Sequence, residues 1–341
     1  MRYIPTFSLT DPIATLVASI SEQLGALSIT PNDNQALLRS INHARSVQGL
    51  LVIDGKVLTE AQLLTIAEGK RVKAPKALVQ EAKRLLSVYQ QLDDLQLGSL
   101  SSLLATHKSL MVDLDTEGGE YRKGGVGIIK NNKTIHQAPP ANTIPTLMKD
   151  LFIWLKESDA HPLIKSCVLH YEIEFIYPFN ERNETLAFLW QTLILKQQHD
   201  LFSYLPIESV IAKQIKQYKR AITVSKKHSD SAPFIEFMLS LINELLGSLT
   251  EYTDLDVVIT PEVTPQIKTL IQAIQVATEE KGIETFKRET LQQLLKLKDK
   301  KSFTQRYLKP ALEEKVIEMT IPDKPTSRLQ QYRLTKVGKL Q

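Results

Sequence analysis

The sequence predicts a mainly α-helical protein that carries small β-hairpins, and two patterns support this prediction. Apolar residues recur at helical spacing in long stripes, one of which joins Leu78, Ala82, Leu85 and Tyr89. The only convincing hairpin before residue 250 runs over residues 124–135, where short apolar pieces flank an Asn-rich turn. We therefore expect a helical bundle that carries one small hairpin, followed by a further domain.

Composition excludes several classes of protein. The chain has 341 residues, of which 43% are hydrophobic, and no apolar run reaches the length of about 18 residues that a membrane span needs. Its one cysteine, Cys167, excludes an intramolecular disulfide, and its place on an apolar helical face indicates a core thiol. The N-terminus lacks the pattern of a secretion signal. We expect a cytoplasmic protein with no membrane partner.

Helical stripes, turn residues and charge divide the chain into four regions. We expect an N-terminal helical region over 1–100, a core over 101–250, a linker over 251–265 and a C-terminal domain over 266–341. Residues 281–341 contain 15 Lys and Arg against 7 Asp and Glu, a balance of +8. The chain as a whole carries +4, so residues 1–280 carry −4. The basic balance of the chain is therefore concentrated near its C-terminus.

A ten-residue segment between two apolar helical runs has the composition of a functional loop. It reads Tyr177-Pro-Phe-Asn-Glu-Arg-Asn-Glu-Thr-Leu186. It resembles the signature loop of the Fic family, and that loop reads His-Pro-Phe-x-Asp/Glu-Gly-Asn-Gly-Arg-x-x-Arg. Enzymes of this family transfer AMP from ATP to protein hydroxyl groups. Pro178, Phe179, Glu181 and Asn183 match that signature.

The resemblance extends over residues 30–245, because the flanking motifs follow in the family's order. The segment 119–122 resembles the start of the family's flap region, and 126–129 with 136–140 resembles the flap hairpin and its exit. The apolar runs over 144–155 and 161–176 lead into the loop as they do in that family. The resemblance implies a Fic-type helical bundle with a small β-hairpin flap.

The residues that differ from the signature are the reactive ones. Transfer of AMP to a hydroxyl needs a general base of near-neutral pKa, which histidine supplies, whereas Tyr177 at its place has an ordinary pKa of about 10. Arg182 and Glu184 replace two glycines that let the backbone approach phosphate, and Glu184 adds negative charge there. Thr185 and Phe188 replace two phosphate-holding arginines.

The matching residues leave part of a nucleotide site in place. The resemblance implies that Glu181 holds Mg²⁺, that Asn183 shapes the loop, and that Arg182 contacts phosphate from a neighbouring position. ATP and Mg²⁺ are the implied ligands, with weak binding or none expected. We expect adenylyl transfer to be lost or greatly reduced.

A second difference from the family lies near the N-terminus. Many members carry an inhibitory helix reading Ser/Thr-x-x-x-Glu-Gly/Asn, whose glutamate pairs with the last arginine of the loop. The segment 44–49 occupies the corresponding place, with Ala44 for the hydroxyl residue, Gln48 for the glutamate and Gly49 matching. A buried carboxylate without its arginine is costly, which explains the neutral Gln48. Alternatively, these are ordinary helix residues.

The C-terminal region reads as a winged helix-turn-helix domain. Helical runs begin at Ile267 and span about 288–297 and 304–313, and two strand-like pieces over 316–321 and 331–335 flank a Pro-rich turn. The segment 324–328 resembles the wing of a module often joined to Fic domains. The candidates for contacts with DNA are basic residues of the third helix and the wing: Lys300, Lys301, Arg306, Lys309, Lys324 and Arg328. Alternatively, this basic surface docks onto a protein partner.

Three functional hypotheses follow. The first is a Fic-family pseudoenzyme, a regulatory or scaffold protein that acts through its winged helix. The second is an adenylyltransferase of altered mechanism that transfers AMP to a protein hydroxyl or to itself, with Tyr177 as acceptor. The third is a regulator whose Fic-like part only mediates dimerisation. The resemblance to the Fic family also implies a homodimer.

Overall fold

The structure is a computed structural model, and it describes residues 2–26, 35–112, 118–130, 133–250, 264–297, 299–325 and 327–335. The chain forms two compact units, one of Met1–Leu58 with Ile66–Glu251 and one of Thr59–Thr65 with Tyr252–Gln341. Most of the linker predicted over 251–265 lies outside the described residues. The domain boundary predicted at residue 100 stays a prediction.

The first unit is a helical bundle. Its helices are α1 (Asp11–Ala26), α2 (Gln35–Ile53), the end of α3 (Glu60–Ala67), α4 (Lys76–Gln90), α5 (Leu100–Leu110), α6 (Ile144–Glu157), α7 (Pro162–Ile176), α8 (Asn183–Gln198), α9 (Ile207–Lys213), α10 (Ile215–His228) and α11 (Ala232–Thr250). Short 3₁₀ turns lie at Leu92–Asp94, Ala141–Thr143 and Asp200–Tyr204. The predicted mainly α fold class is confirmed.

An antiparallel hairpin interrupts the bundle at the expected place. Its strands are β1 (Gly127–Lys130) and β2 (Lys133–Gln137), and their register shifts between Ile128 and Ile129. The second strand extends two residues beyond the predicted end at residue 135. The hairpin therefore occupies the position predicted for the flap.

The antiparallel pair α7 and α8 forms the centre of the bundle. Most residues of both helices are buried, including polar residues such as Ser166, His170 and Gln191. A helix that is buried on all sides needs apolar residues around its whole circumference, and the sequences of α7 and α8 meet this need. Cys167 is fully buried here, as predicted for a core thiol. The loop that joins this pair is thereby held between two largely buried helices.

The N-terminal segment, residues 2–10, lies as an extended strap on the bundle. Tyr3 Oη donates a hydrogen bond of 2.6 Å to the buried carboxylate of Glu172, and the Ser231 amide donates to the Thr6 carbonyl oxygen at 3.0 Å. The Thr10 hydroxyl donates to Glu236 at 2.6 Å. These residues have no helical or strand periodicity, so their placement cannot be predicted from a local pattern.

Helices α2 and α9 approach each other closely at Gly49. A Cβ atom placed on Gly49 would lie 2.5 Å from the Ser209 amide nitrogen and 2.6 Å from the Glu208 carbonyl oxygen. Beside this contact, the buried Glu208 carboxylate accepts hydrogen bonds from the Ser46 hydroxyl at 2.6 Å and the Tyr89 hydroxyl at 2.5 Å. Only glycine allows the two backbones this separation.

We expect Gly49→Ala to lower the free energy of unfolding by about 3 kcal/mol, because the added methyl group forces α2 away from α9. Urea titration followed by circular dichroism measures the change. The matched control is Gly25→Ala in α1, where nothing lies within 4 Å of the added Cβ. That substitution should raise the free energy of unfolding by about 0.5 to 1 kcal/mol. Equal effects of the two substitutions would contradict the close approach.

The second unit contains the start of α3, and its C-terminal part has three helical segments followed by a hairpin. The helices are α12 (Pro265–Lys281), α13 (Arg288–Leu294), α14 (Lys300–Phe303) and α15 (Lys309–Glu313), and a π-helical turn (Thr304–Leu308) joins the last two. The strands β3 (Ile317–Met319) and β4 (Tyr332–Leu334) pair antiparallel, and Phe286 bridges to Tyr332. This order matches the predicted one, although the third helical segment starts four residues earlier than predicted and both strands are shorter. The winged-helix assignment itself stays a prediction.

No helix within the described ranges combines the length and the apolar character that crossing a membrane requires.

Candidate functional site

The loop between α7 and α8 turns sharply at both of its ends. Tyr177 ends α7 with a left-handed backbone, φ 51°, and Arg182 precedes α8 with φ 65°. Between them, the buried Asn183 side chain accepts a hydrogen bond from the Phe179 amide at 3.0 Å and donates one to the Phe179 carbonyl at 2.8 Å. Asn183 therefore shapes the loop, as the resemblance implies.

Arg122 is a buried cation that holds the carbonyl groups around this loop. Its guanidinium donates to the carbonyl oxygens of Tyr177 at 2.7 Å, Gly124 at 2.6 Å, Pro139 at 2.6 Å and Ile176 at 3.3 Å, while its amide donates to Pro178 at 2.9 Å. Several of these oxygens belong to the C-terminus of α7, which carries partial negative charge. Arg122 thus joins the start of the flap, its exit and the loop in one network.

His107 on α5 holds the other side of the loop, and no motif in the sequence indicates this role. Its ring stacks on Phe179 with centroids 3.8 Å apart. Its Nδ1 atom accepts a hydrogen bond from the Gly119 amide at 2.9 Å, so Nε2 carries the proton and donates to the Glu181 carbonyl at 3.3 Å. Burial, with a smaller contribution from the Arg182 charge, lowers the pKa of His107 to about 4.

We expect the contribution of His107 to stability to disappear in mild acid. Its pKa is about 4 when folded and about 6.5 in an unfolded chain, so the unfolded state binds the proton more tightly between these values. The stabilisation is therefore complete above pH 6.5 and declines by about 1 kcal/mol per pH unit as the pH falls towards 4. Urea titrations of the wild type and of His107→Gln, from pH 7 to 4.5, measure it. Curves that fall in parallel would contradict this role.

A cavity of about 510 Å³ opens beside the loop, and α10 forms one of its walls. Tyr177, Asn180 and the segment Glu181–Thr185 line one side, and residues of α7, of α10 and of the chain after α2 line the rest: Asp54, Lys56, Glu174, Tyr218, Lys219, Ile222, Thr223 and Lys226. The cavity thus contains the whole sequence-predicted nucleotide site, Glu181, Arg182 and Asn183, together with Tyr177.

Two carboxyl groups inside this cavity resist ionisation. Burial is the main cause that raises the pKa of Glu184 and of Glu174 above the ordinary range, and the neighbouring Glu174 raises that of Glu184 further. Lys219 opposes both shifts, and Lys226 opposes that of Glu174. The Oε1 atom of Glu174 is buried without a hydrogen-bond partner among the described residues. Glu184, in the first turn of α8, and Glu174 thus place two carboxyl groups in the lining of this cavity.

The charge of Arg182 is already matched by carboxylates. Its guanidinium lies 2.6 Å from Glu81 on α4 and 3.1 Å from Asp54, and only 10% of its side chain is exposed. Lys56 joins the same cluster at 2.7 Å from Glu81. The contact with phosphate predicted for Arg182 would require these pairs to break.

The family's two arginine positions hold buried side chains here. Phe188 is 1% exposed, and its ring meets that of His170 at a centroid distance of 4.6 Å and that of Tyr218 at 5.8 Å. His170 is fully buried, with Nδ1 2.7 Å from Gln191 and Nε2 2.8 Å from Tyr218, as expected for a structural histidine. Thr185 is also buried.

The Tyr177 hydroxyl lies in an environment that disfavours its ionisation. Burial, the largest cause, and the nearby Glu174 carboxyl raise the pKa of Tyr177, although a hydrogen bond with Asn183 opposes the shift. A group that holds its proton this firmly is a poor general base.

The predicted counterpart of the inhibitory motif lies on α2, away from the cavity lining. The Gln48 side chain donates to the Leu58 carbonyl at 3.0 Å, and Gly49 makes the close contact with α9. Ala44 is fully buried. These contacts are compatible with the alternative interpretation, in which Ala44, Gln48 and Gly49 are ordinary helix residues.

The basic residues predicted to contact DNA all lie on exposed positions of the second unit. Lys300 and Lys301 begin α14, Arg306 lies in the π-helical turn, and Lys309 begins α15, where it pairs with Glu313 at 3.7 Å. Lys324 and Arg328 lie in the connection between β3 and β4. All six are thus accessible to a partner.

Comparison with known proteins gives consistent matches. The Fic/DOC family model matches residues 98–195, and the model of the C-terminal domain of Filamentation induced by cAMP protein Fic-like matches residues 265–335. The chain is similar to a Fic family protein from Desulfovibrio desulfuricans G20, with 38% identity over 98% of this chain and 99% of that chain, and a TM-score of 0.70.

Two further solved structures share the fold at low identity. Fic-1 from C. elegans matches with 16% identity, 70% of this chain, 72% of that chain and a TM-score of 0.56. A Fic domain containing signaling protein from Bacteroides thetaiotaomicron VPI-5482 matches with 15% identity, 70% and 95% coverage and a TM-score of 0.54. At these identities the likeness establishes the fold alone.

Proposed function

The chain belongs to the Fic family, and we propose that it has lost protein adenylylation or retains very little of it. We further propose that it acts as a regulatory or scaffold protein through its C-terminal domain. The family transfers AMP from ATP to protein hydroxyls, so the proposal concerns what remains of that site.

The observation that carries the proposal is the packing of Phe188. An aromatic side chain that is 1% exposed and in contact with His170 and Tyr218 fills the space beside the loop from which the family's second arginine acts. Loss of a single electrostatic donor of this kind typically slows a reaction about 100- to 1,000-fold. The arginine position has thus become part of the hydrophobic core.

The residues of the cavity do not fit a triphosphate with its metal ion. Arg182 is paired with Glu81 and Asp54, and Glu184 places a carboxyl group at the helix start where phosphate would bind. Among the described residues, no three Asp, Glu, His or Cys side chains form a group that could hold a metal ion. Glu181 is exposed and would be the only acidic loop residue available to Mg²⁺.

Calorimetric titration tests this part of the proposal. We expect no heat of binding when ATP with Mg²⁺ is titrated to millimolar concentration into the full chain. A Glu181→Ala variant is the control, because a residual nucleotide site would depend on the metal-binding position. Saturable binding to the wild type that disappears in Glu181→Ala would overturn the proposal.

A second candidate is an adenylyltransferase of altered mechanism with Tyr177 as its own acceptor. The cavity of about 510 Å³ favours it, because the cations Lys219 and Lys226 line that cavity together with Tyr177. Intact-mass analysis after incubation with ATP and Mg²⁺ separates the candidates. An added AMP that peptide mapping places on Tyr177, and that Tyr177→Phe abolishes, would establish this activity.

For the C-terminal unit we propose DNA as the partner. Six exposed basic residues on the third helical segment and on the connection between β3 and β4 support it, since these are the elements by which a winged helix meets the groove and the backbone. A protein partner is the competing assignment. Fluorescence anisotropy with a duplex over a series of salt concentrations distinguishes the two, because phosphate contacts give a steep dependence on salt.

We also propose that the protein forms a homodimer, as its membership of the Fic family suggests. Sedimentation velocity at several protein concentrations tests it. If a dimer persists while ATP and DNA both fail to bind, the Fic-like unit serves only in dimerisation.

A further inference from the structure

Helix α10 carries five basic residues and no acidic one within 14 residues. They are Lys216, Lys219, Arg220, Lys226 and Lys227. This composition is unusual in its surroundings, because residues 1–280 together carry a net charge of −4. Without α10, the same stretch would carry −9. The basic charge of α10 is therefore a local feature of the first unit.

The spacing of these residues places them on one side of the helix. Positions 216, 220, 223 and 227 recur every three or four residues and form one line, with 219 and 226 beside it. The neighbouring face holds Tyr218, Ile222 and Ser225, which are buried. At 1.5 Å per residue the line is about 16 Å long. We call Lys216, Arg220 and Lys227 the α10 stripe.

The α10 stripe is exposed, and its charges have no acidic partner in the part of the chain that the structure describes. Some exposed cations elsewhere in the same unit do have such partners. Arg2 lies 2.7 Å from Glu157, and Lys123 lies 3.2 Å from Glu120. The stripe therefore presents uncompensated positive charge to solvent.

We propose that the α10 stripe binds the phosphate backbone of double-stranded nucleic acid. A duplex carries one negative charge per about 1.7 Å of its axis, so a line of cations about 16 Å long meets several phosphates in any register. An acidic protein surface would instead need carboxylates at matching positions.

The side chains of the stripe also define what kind of recognition is possible. Lys216, Arg220 and Lys227 are cations that can meet phosphate oxygens, and the exposed line holds no aromatic residue on which a base could stack. Binding through this surface is therefore independent of base sequence. The inference deepens the proposed DNA binding of the C-terminal unit, since it adds a second contact surface for the same class of partner.

The experiment measures the affinity of the full chain for a labelled 20-base-pair duplex of arbitrary sequence by fluorescence anisotropy, from about 50 to 200 mM salt. The test variant combines Lys216→Gln, Arg220→Gln and Lys227→Gln. A control with the same change in net charge combines Lys70→Gln, Lys123→Gln and Lys156→Gln elsewhere in the unit. A third variant combines Lys300→Gln, Lys301→Gln, Lys324→Gln and Arg328→Gln in the C-terminal unit.

We expect the α10 variant to bind about tenfold more weakly or worse at the lowest salt, and its slope of log affinity against log salt to be smaller by about 2 to 3, as loss of three phosphate contacts predicts. The charge-matched control should stay close to the wild type. Replacing the same three residues so that charge is kept, by Lys216→Arg, Arg220→Lys and Lys227→Arg, should retain the affinity. A duplex of unrelated sequence should give the same result.

The outcomes separate this inference from the proposed function. If only the C-terminal variant binds more weakly and the α10 variant is unchanged, the proposed role of the stripe is wrong. DNA binding by the C-terminal unit is then still supported. Weaker binding in the α10 variant alone supports the stripe and removes DNA from the proposed function. Equal losses in the α10 variant and in the charge-matched control show a general charge effect and overturn the stripe. An α10 variant that loses affinity for polyglutamate but keeps its affinity for the duplex would also overturn the proposed role of the stripe.

Discussion

Phe188→Ala should lower the free energy of unfolding by about 3 to 5 kcal/mol, which is the range for deleting a fully buried phenylalanine. The ring is 1% exposed, and it contacts the ring of His170 on α7 and the ring of Tyr218 on α10. Deleting it leaves a cavity beside these two side chains, which are themselves buried. Urea titration followed by circular dichroism at pH 7.5 measures the loss.

The control for this prediction is Phe188→Leu, which keeps most of the apolar volume and should cost less than about 1.5 kcal/mol. A loss below 1 kcal/mol in Phe188→Ala would show that the ring is dispensable for packing. The position would then tolerate an arginine, and the packing of Phe188 would no longer support a loss of adenylylation.

Arg122→Ala should have an effect of similar size, about 3 to 5 kcal/mol, because it leaves a set of buried carbonyl groups without donors. The guanidinium is 2% exposed and donates to four carbonyl oxygens, among them those of Tyr177 and Pro139. The same substitution should loosen the signature loop. Amide hydrogen exchange around residues 177–183 should therefore accelerate more than exchange in α11.

Two variants check that this effect comes from the guanidinium geometry. Arg122→Lys keeps the charge but offers a compact ammonium that cannot reach all four oxygens, so it should recover only part of the stability. Lys123→Ala, at an exposed neighbour whose ion pair with Glu120 is on the surface, should change stability by less than about 1 kcal/mol. Equal losses at positions 122 and 123 would contradict the role assigned to Arg122.

The sequence predicted the fold class, the hairpin and the order of elements in the C-terminal unit because local patterns specify them. Helical stripes mark α4 and α8, and the Asn-rich turn marks the first hairpin. The boundaries were less accurate. The third C-terminal helical segment starts at Lys300, four residues before the predicted start, and contains a π-helical turn that no periodicity indicates.

The site was predictable where its residues belong to the loop and not where they come from distant segments. Tyr177, Glu181, Arg182 and Asn183 line one cavity, as their proximity in the sequence suggests. The partners that determine what they do lie far away in the chain. Glu81, which neutralises Arg182, is 101 residues earlier, and His107 holds the loop from α5. Such contacts depend on tertiary packing, which short motifs do not encode.

A transfer assay measures directly whether the protein adenylylates a hydroxyl group. The full chain is incubated with Mg²⁺, with ATP labelled on its α-phosphate, and with an extract of proteins as possible acceptors, and a heat-inactivated sample sets the background. The account predicts no labelled protein above that background, for the extract and for the chain itself. Labelling that is well above background and disappears in Glu181→Ala would contradict it, and would show that the altered loop still transfers AMP.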